Sequence, residues 1–423
     1  MKQYEKYKDS GVEWLGKIPE HWKQSKLKYE FYIKARVGWK GLKSDEFQQN
    51  SYAYLVTGTD FKDVEINWKN CYQIDEFRYN DDPFIQLMNG DLLITKDGTI
   101  GKTSFVRNLD KPACLNSGIF VLRQIKDTTV DFFYWLLNSS IFHDFNKLTV
   151  SGSTIQHLYQ NIFENFIFSV PKKEEQQAIS LYLNHITSAI DLLIKEKESL
   201  ISKLQEKCKA LINEVVTKGL NPNVPMRDSG IEWLGMIPEH WGISKIKFLA
   251  DLKSGTNLTS EVIEPDGDFP VYGGNGLRGF YGSYTDEGHY ILIGRQGALC
   301  GNINYAKGQF WATEHAVVCY PKLDFKTIWF GELLRAMNLN QYSIASAQPG
   351  LAVERIKNLA IPVPSTEEQA GIVDFIESRT TKIEQTISEI QIQIQKLKEY
   401  KTSVISEAVT GKVDVREWKQ KNN

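Results

Sequence analysis

The segment Gly98-Thr99-Ile100-Gly101-Lys102-Thr103 has the residue types of a phosphate-cradling loop, in which backbone N–H groups and a lysine surround an anion. Its spacing fails. A P-loop needs a glycine five residues before its Gly-Lys pair, and Lys96 stands there. The seven histidines form no HExxH and no zinc-type pairing with cysteine. Cys71, Cys114, Cys208, Cys300 and Cys319 are odd in number, contain no CxxC, and read as reduced core residues. No GxSxG elbow, Asn-Pro-Pro-Tyr methylation motif, dinucleotide fingerprint or helicase motor signature occurs. No catalytic residue and no metal ligand is therefore assigned, and an enzyme acting alone is disfavoured.

What remains is loops suited to touching a polymer. Residues 94–101 and 293–301 align as a strand, a basic residue and a glycine-rich turn. Lys96 and Arg295 could reach guanine O6/N7 or a phosphate, Gln296 could pair with adenine, and Thr99 and Lys102 lie in the first turn. Asn275 and Arg278 belong to an aromatic, basic, glycine-rich loop over 272–281. Ser153, Thr154 and Gln156 in one polar loop, and Gln348 in another, complete the candidate DNA contacts. The competing reading of each is an ordinary surface turn with solvated polar groups.

The elements that position these loops are repeated. Residues 8–22 read KDSGVEWLGKIPEHW and residues 227–241 read RDSGIEWLGMIPEHW, an offset of 219. A second pair, Val170-Pro171 with Glu174-Glu175-Gln176 and Val363-Pro364 with Glu367-Glu368-Gln369, has an offset of 193 and holds to Thr217 and Thr410. Each module thus has a fixed start, a middle of variable length and a fixed exit. His21 and His240, in the repeated Pro-Glu-His-Trp, read as packed or capping residues of that frame.

The exits are long helices, with acids in the first turn where the dipole favours them. Ile179, Leu183, Ile186, Ile190, Leu193, Leu200, Leu204 and Leu211 recur in alternating steps of four and three, with Lys197 and Lys207 in two slots. The second copy offers Ile372, Ile376, Ile383, Ile390, Leu397, Tyr400 and Val404, interrupted by Arg379, Thr386 and Gln393, with Ile387 and Ile394 on the adjacent face. The spacing predicts two rods of roughly 65 Å that pair as an antiparallel coiled coil. The alternative is two amphipathic helices, each packed on a globule.

The middles alternate short β-rich runs with Gly, Asn and Asp, and each has one apolar helical stretch. The expected class is α+β: two pseudo-repeated mixed globules separated by two long helices. The boundaries follow as a frame repeat over 1–22, a first globule over 23–170 and a central helix over 171–219. A linker with the second frame repeat covers 220–241, a second globule 242–363, the C-terminal helix 364–412 and a tail 413–423.

Composition sets only bounds. A chain of 423 residues exceeds what one core usually organises. Its 50 basic residues are offset by 52 acidic ones, a net charge of −2, so charge alone does not point to nucleic acid. The N-terminus lacks a secretory h-region and no apolar run reaches the ~18 residues of a membrane span, so a cytoplasmic protein is expected.

Together, DSGxEWLGxIPxHW at each start, Pro-x-x-Glu-Glu-Gln at each helix opening and Glu-x-Val/Ala-Val-Thr at its close resemble the specificity subunit of type I restriction–modification enzymes. The resemblance covers essentially the whole chain. It implies that each middle is a target recognition domain reading one half of a split, asymmetric site in double-stranded DNA, and that the helices set the half-site spacing. It implies two methylation subunits docked on the frame, motor-nuclease subunits beyond them, and no catalytic residues in this chain. S-adenosylmethionine, ATP and magnesium are then expected on the partners and no cofactor here. Competing readings are a subunit of a modification-only assembly, a protein–protein scaffold with duplicated binding globules, and a cryptic enzyme.

Overall fold

Each DSGxEWLG motif closes a tight hairpin for reasons visible in its residues. In the computed structural model, which describes residues 2–36, 42–62, 64–149, 157–297, 299–343 and 350–418, strand Tyr7–Asp9 pairs with Lys17–Pro19, and Met226–Asp228 with Met236–Pro238. The Asp9 carboxylate accepts from the Gly11 N–H at 2.8 Å, and the Ser10 hydroxyl accepts from the Val12 N–H at 3.1 Å. Gly11 and Gly16 have φ of 67° and 60°, the left-handed region that glycine enters without steric cost. Asp228, Ser229, Gly230 and Gly235 repeat the arrangement.

The chain divides into two units, residues 1–197 with 392–423, and residues 198–391. In the first, a four-stranded antiparallel sheet has the order Phe31–Ala35, Ile119–Gln124, Leu92–Thr95, Thr103–Phe105. A three-stranded sheet sets Ala53–Val56 parallel to Ala113–Leu115 and antiparallel to Tyr72–Ile74. In the second unit one six-stranded sheet does both jobs, because the ten-residue strand Ile303–Ala312 runs unbroken. In the first unit that strand is interrupted between Phe105 and Ala113, where Asn108 takes φ 53° and Pro112 offers no N–H. Helices Val130–Leu137 and Ser140–Thr149 cover the first unit's sheet, and Thr327–Ala336 covers the second's.

In both units the middle leaves the frame as it came in. Strand Lys23–Lys26 pairs antiparallel with Ile167–Val170, and Gly242–Lys245 with Ala360–Val363.

The motif residues lock this frame to the long helices Lys173–Lys218 and Thr366–Val409. Glu175, 5% exposed, accepts from the Tyr4 hydroxyl at 2.5 Å and from Trp22 Nε1 at 3.1 Å, and His21 Nε2 lies 3.0 Å away. In the second unit Glu368 meets His240 Nε2 at 3.0 Å and Trp241 Nε1 at 3.3 Å. Burial pushes the Glu368 carboxyl up, but hydrogen bonds from His240, Trp241 and the Ser365 backbone hold it below the usual carboxylate range. The clamp therefore contributes fully above that range and fades as pH falls through the lowered value.

The next residue does a separate job. Gln176 accepts from the Thr129 N–H at 2.7 Å, at the head of the Val130–Leu137 helix, and donates to the Pro171 carbonyl at 3.0 Å. Gln369 accepts from the Lys326 N–H and donates to the Pro364 carbonyl at 3.0 and 3.1 Å. Replacing Gln176 with leucine leaves the buried Pro171 carbonyl and the part-buried Thr129 N–H without this partner, and it should cost about 1–3 kcal/mol. Faster hydrogen exchange at residues 129–132 is the measurement that checks it.

The helix seam departs from the expected one. Buried or half-buried positions run Ile179, Leu183, Thr187, Ile190, Ile194, Lys197, Ile201, Leu204, Cys208, Leu211 and Val215. In the second helix they run Ile372, Ile376, Thr380, Ile383, Ile387, Ile390, Ile394, Leu397, Lys401, Val404 and Ala408, the same steps at an offset of 193. Leu193 and Leu200, expected in the seam, are 41% and 46% exposed, as is Tyr400 at 47%. Ile186 is only half-buried beside it. The cause is a doubled step of four at the start of each helix. Such a stutter shifts every second slot of the facing stripe by one residue once strict heptads begin. Cys208 thus belongs to the seam rather than to a globular core.

The helices run antiparallel. In the first unit Lys401 Nζ lies 2.7 Å from the Asp191 carboxylate, and Lys197 donates to Gln393 at 2.6 Å. In the second, Gly371 lies against Leu220. The first unit's core takes in Ile179 and Leu183 of one helix with Val404, Ile405, Ala408 and Val409 of the other. The second unit's core does the reverse, with Ile372 and Ile376 beside Val215 and Val216.

Four cysteines are buried and all five are free thiols. Burial pushes Cys71 up to about 12 and Cys114 up to about 11, so these thiols stay protonated and unreactive. No helix among the described residues is long and apolar enough to cross a membrane.

Candidate nucleic-acid interface

The phosphate-loop lookalike is a hairpin turn. It joins strands Leu92–Thr95 and Thr103–Phe105, with Gly98 and Gly101 at φ 70° and 90°. A strand rather than a helix follows it, so no helix N-terminus aims its N–H groups at an anion. The turn is braced from within, for the Thr95 hydroxyl donates to the Thr99 carbonyl at 2.5 Å and accepts from the Lys102 N–H at 3.0 Å. The Thr99 and Lys102 side chains are exposed, while Lys96 is half-buried and sits 3.1 Å from Asp97.

Three segments converge at this corner of the sheet. The Lys96 N–H donates to the Gly118 carbonyl, and the Leu158 N–H donates to the Lys96 carbonyl, at 2.8 and 2.9 Å. The second unit repeats these bonds atom for atom. The Arg295 N–H donates to the His315 carbonyl at 2.8 Å, and the Leu351 N–H to the Arg295 carbonyl at 2.9 Å. Asp97 bridges to His157 as Gln296 bridges to Gly350. Each glycine turn thus meets the end of the polar loop before the module's exit, a contact that the separate reading of the two loops did not include. Ser153, Thr154, Gln156 and Gln348 lie outside the described residues.

In the second unit Asn275, Arg278 and Gln296 line one open cleft of about 910 Å³, with His315, Glu314 and Ser260 among its walls. All three are exposed. Arg278 reaches Ser260 at 3.4 Å, Asn275 accepts from Asn302 at 3.3 Å, and half-buried Arg295 holds Ser254 at 3.1 Å. Most of the side chains lining the cleft are polar or charged, and flexible donors reach it from several sides, which suits a polymer edge better than a small apolar ligand.

Sequence reasoning passed over two pairs at this corner. His157 Nδ1 lies 2.7 Å from Asp97, and His315 Nε2 lies 3.1 Å from Glu314. Burial raises the Asp97 carboxyl, but the hydrogen bonds from His157 and Lys96 outweigh it and hold it below the usual range. The available signal was the change of residue type at matched positions, Asp97 against Gln296 and Gly118 against His315.

A family profile described as type I restriction modification DNA specificity domain matches residues 19–202 and 238–396. The type I restriction enzyme EcoprrI specificity subunit of Escherichia coli is 49% identical over 118 residues, 27% of this chain and 29% of that protein's length. The MjaVIII specificity subunit of Methanocaldococcus jannaschii is 24% identical over 95% of each chain. Among solved structures, a chain from work on assembly and conformational transition of the type I R-M system superposes with TM-score 0.71 at 13% identity, covering 94% of this chain and 99% of that one. The HsdS subunit of Thermoanaerobacter tengcongensis gives 0.54 at 14%, covering 96% and 100%. At such identities the superpositions speak to the fold alone.

Proposed function

Because the chain belongs to the type I restriction modification DNA specificity family, we propose that it is a noncatalytic reader in which each unit recognises one half of a split, asymmetric DNA target. The observation that carries this reading is the convergent corner, built on the same backbone bonds in both units but armed with different side chains. Phosphate contacts position a protein on DNA, whereas base contacts specify it, and a fixed scaffold with variable tips separates the two tasks. The long helices would set the distance between half-sites, and the frame would dock two methylation subunits. Motor-nuclease subunits would join that assembly in the cytoplasm, with S-adenosylmethionine, ATP and magnesium on the partner chains.

Methylation mapping in the host tests the reading. The expected result is one split motif with adenine modified on both strands, lost when the gene is deleted. A contiguous motif, or none, would sink it. The near-neutral charge leads to a second expectation. If methylation subunits help encircle the duplex, the isolated chain should show a shallower dependence of log affinity on log salt than the full assembly. Equal slopes would mean that this chain supplies all the phosphate contacts itself.

A further inference from the structure

We propose that His157 and His315 are specificity-determining residues, each reading its own half-site through the ring nitrogen that its carboxylate partner leaves free. The inference rests on the DNA reading above.

The two units solve one problem with parts placed differently. Both put a basic residue, Lys96 or Arg295, at the end of a sheet strand, where its backbone is tied to the same two neighbouring segments. Both add a histidine and a carboxylate beside it. In the first unit the carboxylate comes from the residue after the lysine and the histidine from the segment leading to the module's exit, with Nδ1 held by Asp97 at 2.7 Å. Among the described residues Nε2 has no partner. In the second unit both residues come from the turn before strand Ala316–Pro321, where Nε2 lies 3.1 Å from the Glu314 carboxylate as a charge contact and Nδ1 has no partner among the described residues.

The positions are exchanged rather than shared. Gly118 stands where the second unit has His315. A Cβ at Gly118 would lie 3.4 Å from the Asp97 carboxylate, so the glycine leaves room for the pair on the other segment. Gly350 stands where the first unit has His157. The rings are 43% and 42% exposed, open enough to meet a duplex and anchored enough to present one nitrogen. A histidine held at one nitrogen by a carboxylate has a fixed tautomer and ring orientation. The free nitrogen is then a directed donor or acceptor. Asp97 acts through His157 as a positioning residue, while Glu314 lies beside His315 as a charge contact.

The test uses the chain assembled with its methylation partners and a DNA library randomised separately in each half of the mapped target. H157A should weaken discrimination at one or two base pairs of one half-site by roughly five- to hundred-fold, leaving the other half unchanged. H315A should do the same to the opposite half. D97N, which keeps shape but weakens the hold on Nδ1, should relax the same positions as H157A. Its thermal midpoint should match the wild type, which separates positioning from folding. Uniform loss of affinity across all sequences, or unchanged selectivity in both variants, would overturn the inference while the split target stood. Absence of a split target for the wild type would overturn the DNA reading and this inference together.

Discussion

Replacing Trp22 with alanine should destabilise the first unit by about 3–5 kcal/mol, and Trp241→Ala should do the same to the second. Trp22 and Trp241 are 0% and 1% exposed, so the full side chain is lost from a packed site. The indole N–H also donates to the carboxylate that opens the long helix, and removing it withdraws a partner from buried Glu175. The far edge of each ring fills the space beside the glycine that ends a long helix. A Cβ on Gly411 would lie 3.1 Å from Trp22, and one on Gly219 would lie 3.2 Å from Trp241. Three associations fail at once, so the loss should exceed that of a core phenylalanine. Hydrogen exchange resolved by unit is the measurement. W22A should raise exchange in residues 1–197 and 392–418 while the protection of 198–391 changes little. Equal loss in both units, or none, would contradict the division of the chain into separately cored halves.

The second large effect concerns the helices. Deleting residues 194–200 together with 391–397, the segments joined by the Lys197–Gln393 hydrogen bond, removes one heptad from each seam and keeps its phase. Each helix shortens by about 10 Å. The half-site spacing should therefore contract by roughly three base pairs, at about 3.4 Å per step. Deleting either heptad alone should abolish specific methylation, because one seam then slips against the other and Lys401 loses Asp191. Methylation mapping of the double deletion decides it. A spacing unchanged in an active complex would end the ruler reading.

The frame was largely legible in the sequence because its rules are local. Asp-Ser-Gly dictates an Asx-type turn, Pro followed by acids dictates a helix start, and the apolar recurrence gives the antiparallel rods. The seam was right at Ile190, Leu204 and Leu211 but off by one residue at the alternate slots, Ile186, Leu193 and Leu200. Two neighbouring stripes are both apolar here, with Leu193 next to Ile194 and Leu200 next to Ile201, so composition could not choose between them. Only the tertiary contacts that bury Thr187 settle the phase. The candidate site was legible as loops and not as pairs. Asp97 and His157 are sixty residues apart in sequence, and nothing local announces that a β-bridge joins them.

The paired strands at the base of each middle carry a consequence for how such a protein can change. Lys23 lies opposite Val170, and Gly242 opposite Val363, so each middle hangs on a two-stranded stem whose ends are neighbours across one ladder. Adjacent strands stand about 4.8 Å apart whatever is inserted beyond them. A whole cassette can therefore be exchanged at those four residues without moving a frame atom, provided it offers a backbone N–H to the glutamine at the helix start. On the proposed reading, recombination at the frame sequences on both sides of one middle would replace one half-site and leave the other in place.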